Sequence, residues 1–467
     1  MNTVNNPFKP LDDISMRSFH LKYMLVAAMG TFTDGYDLTV LGVVLPYVLM
    51  SYGISSLKSP AGVFWSIWLN ALPVLGFFVG APLFGYLSNL GRKTFYGWDA
   101  LLMAVGAAFQ PFMPNLILLG VARFIMGIGL GADYVLSPTI IAEVSNARDR
   151  GKLLALGFGG FWIFGSAVAA IAVLIMLIAG FNPGLIWRVA LGIGAVWPAG
   201  VIYLRRRFPE TPRYSVIIAK NFEEFRRFMM AIFGAHYNIQ PQHGTLNHEE
   251  AEEIMLFRKY LKYIALGALL WLIFDIPAYG LNFFVSYIAQ SIKMTPVYLQ
   301  LLGTAFTLPG IVLAWLLLDR WGRRNAQGYG FLLTGLTFLI FSYFVYTYSR
   351  SPNAAALLFL PTIISFGLAK TWMQMGPGSV VAVGAHGVEF SPTKIRGIGQ
   401  AINVISGRTG VLITTFVFPT LFVASSYTAY IFLGLVSVIG AVLTFTLIPE
   451  TKGLGLEDIS LRLSGDS

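Results

Sequence analysis

The chain has 467 residues, 56% of them hydrophobic and only 12% charged, with a mean hydropathy of +0.69, against roughly 45–50% apolar and 25% charged in soluble domains. That composition excludes an ordinary soluble fold, and the absence of Cys excludes disulfide scaffolds, thiolate metal sites, iron–sulfur clusters and cysteine nucleophiles. The formal charge of +10 would suit nucleic acid if it were gathered in a patch, but the basic residues sit at the ends of apolar runs, so no nucleic-acid partner is expected.

Residues 1–19 carry Lys9, Asp12, Asp13 and Arg17 ahead of any apolar run. That is not the pattern of a cleaved secretory signal, so the N-terminus is expected to stay in the mature protein. Apolar stretches long enough to cross a bilayer, at roughly 20 residues each, fall near 21–49, 62–88, 95–113, 116–143, 153–180 and 185–204, and again near 260–290, 297–318, 326–347, 354–385, 397–423 and 427–448. About twelve transmembrane helices are predicted, in an all-α polytopic membrane protein. The expected division is an N-terminal six-helix bundle over 1–204, a linker over 205–258 with helices along the membrane surface, and a C-terminal six-helix bundle over 259–467. An even number of spans puts both termini on one side. Most Lys and Arg fall on that side, so the positive-inside rule makes it the cytoplasmic face of the cell membrane.

The two halves repeat each other at a separation of roughly 240 residues. Gly91-Arg92-Lys93 recurs as Gly322-Arg323-Arg324, Glu143 followed by Arg150-Gly151 recurs as Glu389 followed by Arg396-Gly397, and Pro209-Glu210-Thr211 recurs as Pro449-Glu450-Thr451. Two bundles of like orientation, related by a pseudo-twofold axis, face each other across a central cavity, and rocking one against the other gives alternating access. A transporter follows from the repeat alone.

These motifs, with Asp319-Arg320-x-Gly322-Arg323-Arg324 and Arg123-x-x-x-Gly127-x-Gly129-x-Gly131, resemble those of the major facilitator superfamily. The resemblance implies gates at the cytoplasmic face whose charge pairs form and break as the bundles rock. Gly91, Arg92, Lys93, Glu143, Arg150, Asp319, Arg320, Gly322, Arg323, Arg324, Glu389 and Arg396 would form them, in a protein expected to be a monomer. The first-half copy has Ser88 and Asn89 where an acidic residue and Arg are expected, which predicts a weaker gate there. The Pro-Glu-Thr loops also resemble those of sugar porters.

An ionisable side chain in the bilayer centre is costly and marks a pathway by default. Asp34 and Asp37 fall mid-span in the first helix, Asp133 in the fourth, Asp275 in the seventh, Lys370 in the tenth and Arg408 in the eleventh. Trp271, Asp275 and Tyr279 share one helix stripe at i, i+4, i+8. A structural pair such as Arg408 with Asp275 is the plainer alternative, Lys370 could instead stretch toward an interface, and Asp99 reads as an interfacial or gate residue.

Thr33-Asp34-Gly35-Tyr36-Asp37, Gly131-Ala132-Asp133-Tyr134 and Trp271-x-x-x-Asp275-x-x-x-Tyr279 resemble the phosphate:proton symporter branch of that superfamily. The resemblance implies a proton path through Asp34, Asp37 and Asp133. It implies an anion site of Asp133, Tyr134, Trp271, Asp275 and Tyr279, to which Arg408 and Lys370 add positive charge. Phe161 stands where the branch carries a pocket Gln, which together with Trp162 would also suit a carboxylate on an aromatic body. The expected function is proton-coupled symport of a small anion, inorganic phosphate first. The alternatives are an organic or aromatic acid, a sugar, and a nutrient receptor that binds without transporting. No enzymatic motif, cofactor or metal site is predicted. His236, His243 and His248 beside Glu249 and Glu250 read as a solvated loop rather than a metal site.

Overall fold

The computed structural model describes residues 6–234, 253–350 and 352–465; the His236, His243 and His248 cluster lies outside them. Among the described residues the regular structure is helical, with no strand. Twelve main helices follow in order: α1 Ser18–Ser51, α2 Pro60–Leu87, α3 Trp98–Phe109, α4 Leu116–Val144, α5 Arg150–Ile178 and α6 Pro183–Arg206. After the central segment come α7 Glu253–Phe283, α8 Pro296–Trp321, α9 Arg323–Arg350, α10 Pro352–Met375, α11 Arg396–Ala424 and α12 Ser426–Leu447.

Their starts are written locally. Proline occupies the first turn of α2, α6 and α8, where its missing N–H costs nothing. The side chains of Ser59, Asn115 and Asn182 accept from Gly62, Leu118 and Leu185 N–H at 2.9–3.0 Å, capping orphan donors.

Three predicted spans end or break early. The third is split because Gly97 takes φ 112° and its N–H bonds to the Asp99 carboxylate at 2.7 Å, which turns the chain before α3 begins. The tenth stops at Met375, since Gly376 leaves helical geometry and Pro377 cannot continue the ladder. The seventh stops at Phe283 and restarts as a short helix, Val285–Ser291. The central segment also differs from the expected 205–258: α6 continues through Arg206, helices Pro212–Ile217 and Phe222–Phe233 follow, and α7 already begins at Glu253.

Packing follows the repeat. Within the halves α1 lies on α5 and α7 on α11; between them α2 lies on α11 and α5 on α8, the exchange a pseudo-twofold axis demands. Small residues permit the tight approaches: a Cβ on Gly127 or Gly76 would collide with the facing backbone of α2 or α4. Arg123, opening that face, is buried and donates to Leu69 O at 2.9 Å and Gln110 Oε1 at 3.2 Å.

Candidate functional site

At the end of the bundle that carries both termini, the repeated motifs bind one another. Gly91 and Gly322 turn the chain at φ 146° and 91°, a region that only glycine enters readily. The carboxylate of Glu210 then accepts from Lys93 N–H at 3.1 Å, as Glu450 accepts from Arg323 and Arg324 N–H at 2.9 and 3.2 Å. Each half thereby caps its own basic turn with its own Pro-Glu-Thr segment. The halves are joined by a reciprocal pair of buried ion pairs, Arg150 to Glu389 and Arg396 to Glu143, both at 2.9 Å.

In the first half Arg92 meets Glu143 at 3.1 Å and donates to Ser88, Asn89 and, across the seam, Thr393 O. In the second, Arg323 meets Asp319 at 3.0 Å and lies 3.9 Å from Glu389, while Arg320 offers its carbonyl to Lys452. Ser88 and Asn89 thus supply neutral acceptors where Asp319 supplies charge.

At the opposite end the halves touch through neutral groups. Ser286 donates to Gly42 O at 2.6 Å and Tyr287 to Leu57 O at 2.8 Å, and a Cβ on Gly42 would sit 2.6 Å from Asn282 O.

Between these ends lies a cavity of ≈ 80 Å³ shared by both halves. Tyr134, Trp271, Asp275, Tyr279, Lys370 and Arg408 all line it. Arg408 is its electrostatic centre: Nη1 lies 3.2 Å from Asp275 Oδ2, and the guanidinium sits 4.5, 4.6 and 5.0 Å from the ring centres of Phe77, Tyr134 and Tyr279. Asp275 and Arg408 both belong to the C-terminal half, so their pair does not tie the halves together; the aromatic faces of Phe77 and Tyr134, from the other half, do. Lys370 points into the cavity and donates to Asn282 Oδ1 at 3.0 Å.

Phe161 does not line the cavity; Trp162 does, together with Phe158. A π-helical turn over Ala155–Gly160 changes the helical register just ahead of the aromatic pair, and it is Trp162 that faces the cavity.

Asp34, Asp37 and Asp133 stand behind the cavity wall rather than on it. Asp34 is fully buried, and among the described residues neither of its carboxylate oxygens has a hydrogen-bond or ion-pair partner. It lies within electrostatic reach of Asp133, Arg205, Asp37 and Arg408. Asp37, also buried, forms no ion pair among the described residues and lies within electrostatic reach of Arg123.

Asp133 has a partner that sequence reasoning assigned to the linker. Arg205 Nη2 meets Asp133 at 2.6 Å, Nη1 meets Asp99, and the guanidinium stacks 4.3 Å from the Tyr96 ring centre. Asp99 is therefore half of a buried ion pair rather than a surface residue. The guanidinium has room because position 30 is glycine: a Cβ there would overlap both Arg205 Nη2 and the Asp133 carboxylate. A signal for Arg205 existed in the spacing of Pro198, Val201 and Arg205, which share one buried stripe of α6.

Buried charges, a cavity between two repeated halves and contacts between the halves on either side of it fit a secondary transporter. The sequence profile described as "Sugar (and other) transporter" matches residues 23–462, and the chain belongs to that family, within the major facilitator superfamily. It is similar to the probable inorganic phosphate transporter 1-6 of Arabidopsis thaliana, 28% identical over 97% of this chain and 95% of that one. It is likewise similar to the low affinity inorganic phosphate transporter 1 of Petunia hybrida, 27% identical over 98% and 95%. Among solved structures, the major facilitator proton:xylose symporter XylE bound to 6-bromo-6-deoxy-D-glucose superposes with a TM-score of 0.79 at 22% identity, over 95% of this chain and 99% of that one. The inward open conformation of the xylose transporter from E. coli gives 0.66 at 21% identity, over 95% and 99%. The chain is a multi-pass membrane transporter and not an enzyme.

Proposed function

We propose that this transporter carries inorganic phosphate together with a proton, by alternating access, with both termini cytoplasmic. The observation that carries the reading is Arg408, held between Asp275 and three aromatic faces on the wall of the shared cavity, with the unpartnered carboxyl of Asp34 behind it. Relatives named as inorganic phosphate transporters over nearly their full length support the choice of anion.

A guanidinium offers forked donors to an oxyanion. As a neutral acid, Asp275 donates a further hydrogen bond to it; as a carboxylate, it repels the anion and reclaims Arg408. Proton and phosphate then favour each other's binding, and loss of the proton on one side expels the anion there. That differential affinity is what symport requires. Asp34, buried without a counter-ion, stores the travelling proton, because a bare carboxylate in that position is the costlier form. Asp133 and Asp37 belong to the same path.

The test is uptake of labelled phosphate into proteoliposomes on a pH jump. Accumulation should follow the proton gradient, and Asp275→Asn should cut it by at least about tenfold, the loss of one charge-assisted contact. Native phosphate affinity in that variant removes Asp275 from the site. Trp162 and Phe158 on the cavity wall favour one second reading, an aromatic or other organic acid, which the same assay tests with benzoate in place of phosphate.

A further inference from the structure

Two cations line the transport cavity, and they are not equivalent. Arg408 is matched by the Asp275 carboxylate at 3.2 Å. Lys370 is not: its polar contact is the neutral amide oxygen of Asn282 at 3.0 Å, with the Phe366 ring 5.8 Å away, and among the described residues no carboxylate comes within ion-pair distance of it. The lysine is buried all the same. Gly303 makes room for its stem, since a Cβ there would lie 3.0 Å from Lys370 Cδ. The polar groups that α8 adds to the wall, Gln300, Thr304 and Thr307, are neutral. A buried ammonium with only an amide for company lacks the counter-charge that such a group needs.

The two cations meet different residues of α7. Asp275, beside Arg408, and Asn282, beside Lys370, are seven residues apart on one helix face, two turns or about 10 Å along the axis. A hydrogen bond reaches about 3 Å. Two cationic contact points held two turns apart on one wall suit a ligand with an acidic group at each end better than a single tetrahedral oxyanion.

From this geometry we infer that the preferred substrate is an organic phosphate or phosphonate with a second acidic group a few bonds away: the phosphoryl end at Arg408 and Asp275, the second acid at Lys370. The inference rests on the proton-coupled phosphate reading and narrows its substrate class.

It is tested on the full chain in lipid nanodiscs. The probes are phosphonoacetate, 3-phosphonopropionate and 4-phosphonobutyrate, each titrated beside the alkylphosphonate of equal length that lacks the carboxylate. One length should bind about tenfold or more tightly than its alkyl counterpart, as a hydrogen-bonded ion contact gives. Lys370→Gln should bring that ratio to about one and Lys370→Arg should keep it. A lysine that only supports the fold would weaken both members of a pair alike in Lys370→Gln and leave the ratio standing, which overturns the assignment. Should Lys370→Gln not fold, the wild-type series decides: equal binding of carboxylated and plain phosphonates at every length overturns it. Phosphate accumulation on a pH jump with a flat series sinks this inference alone, whereas absent accumulation of phosphate sinks the reading beneath it.

Discussion

In the N-terminal half, Arg205 is shared by Asp99 and Asp133, and among the described residues the buried groups without an ion pair include the acids Asp34 and Asp37. In the C-terminal half, Arg408 is matched by Asp275, and the group left over is a base, Lys370. Each half contributes a buried arginine set against aromatic rings, Arg205 against Tyr96 and Arg408 against Tyr279 of its own half and Phe77 and Tyr134 of the other. The difference lies in what remains unsatisfied. A lone buried acid is relieved by a proton, and a lone buried base by an anion. On the proposed reading, the two halves of one repeat would each hold one of the two co-transported charges, and the shared cavity wall between them is where the occupancies would communicate.

The comparison breaks most visibly at Arg205. Arg205→Gln leaves two buried carboxylates without their counter-ion and should cost about 3–5 kcal/mol of stability, the usual range for half of a buried pair. Thermal unfolding in detergent measures it, and adding Asp99→Asn should recover part of the loss. A variant as stable as the parent would mean that Arg205 is not the charge that holds the N-terminal half together. Asp34→Asn probes the opposite case. It removes no ion pair, so stability should change by less than about 1 kcal/mol, while accumulation driven by the pH gradient is lost. Undiminished proton-driven uptake in Asp34→Asn would take the unpaired acid out of the proton path.

Much of this arrangement is legible in the chain because it rests on local rules. Span positions follow from apolar run length, and the repeat is visible because a positive-φ glycine and a capping carboxylate leave few residue choices at Gly91, Gly322, Glu210 and Glu450. Trp271, Asp275 and Tyr279 can be grouped from helical spacing alone. Arg205 is hidden for a geometric reason: Arg205, Arg206 and Arg207 are consecutive, each about 100° further round the helix, and composition cannot say which one turns inward. Only the notch at Gly30 and the stripe through Pro198 and Val201 distinguish it. Phe161 and Trp162 can be named together from the chain, but which of them faces the cavity depends on a π-turn that leaves no mark in the sequence. The breaks at Gly97 and Gly376 sit inside runs apolar enough to read as continuous spans.

The smallest expected effect lies outside the membrane. The buried guanidinium of Arg213 is shared by Asp12 of the N-terminal segment, at 2.8 Å, and Glu457 of the C-terminal helix Leu456–Ser464, at 2.8 Å. Burial pushes the Asp12 carboxyl up from 3.8 to about 6, with Arg213 opposing and Glu457 adding to the rise. Burial would raise Glu457 as well, but Arg213 outweighs it and holds that carboxyl below its usual range. The two acids that share Arg213 are thus shifted in opposite directions. Because buried Asp12 binds its proton more tightly than in the unfolded chain, its contribution is full below 3.8 and is lost as pH rises through about 6. The segment Lys9–Asp13, which also holds Ala147 N–H through the Asp12 carbonyl, should therefore loosen between pH 5 and 7 by about a few-fold in its proteolysis rate. Asp12→Asn, neutral at every pH, should flatten that dependence, and a wild-type rate that stays level across the interval would show that Arg213 serves both carboxylates at once.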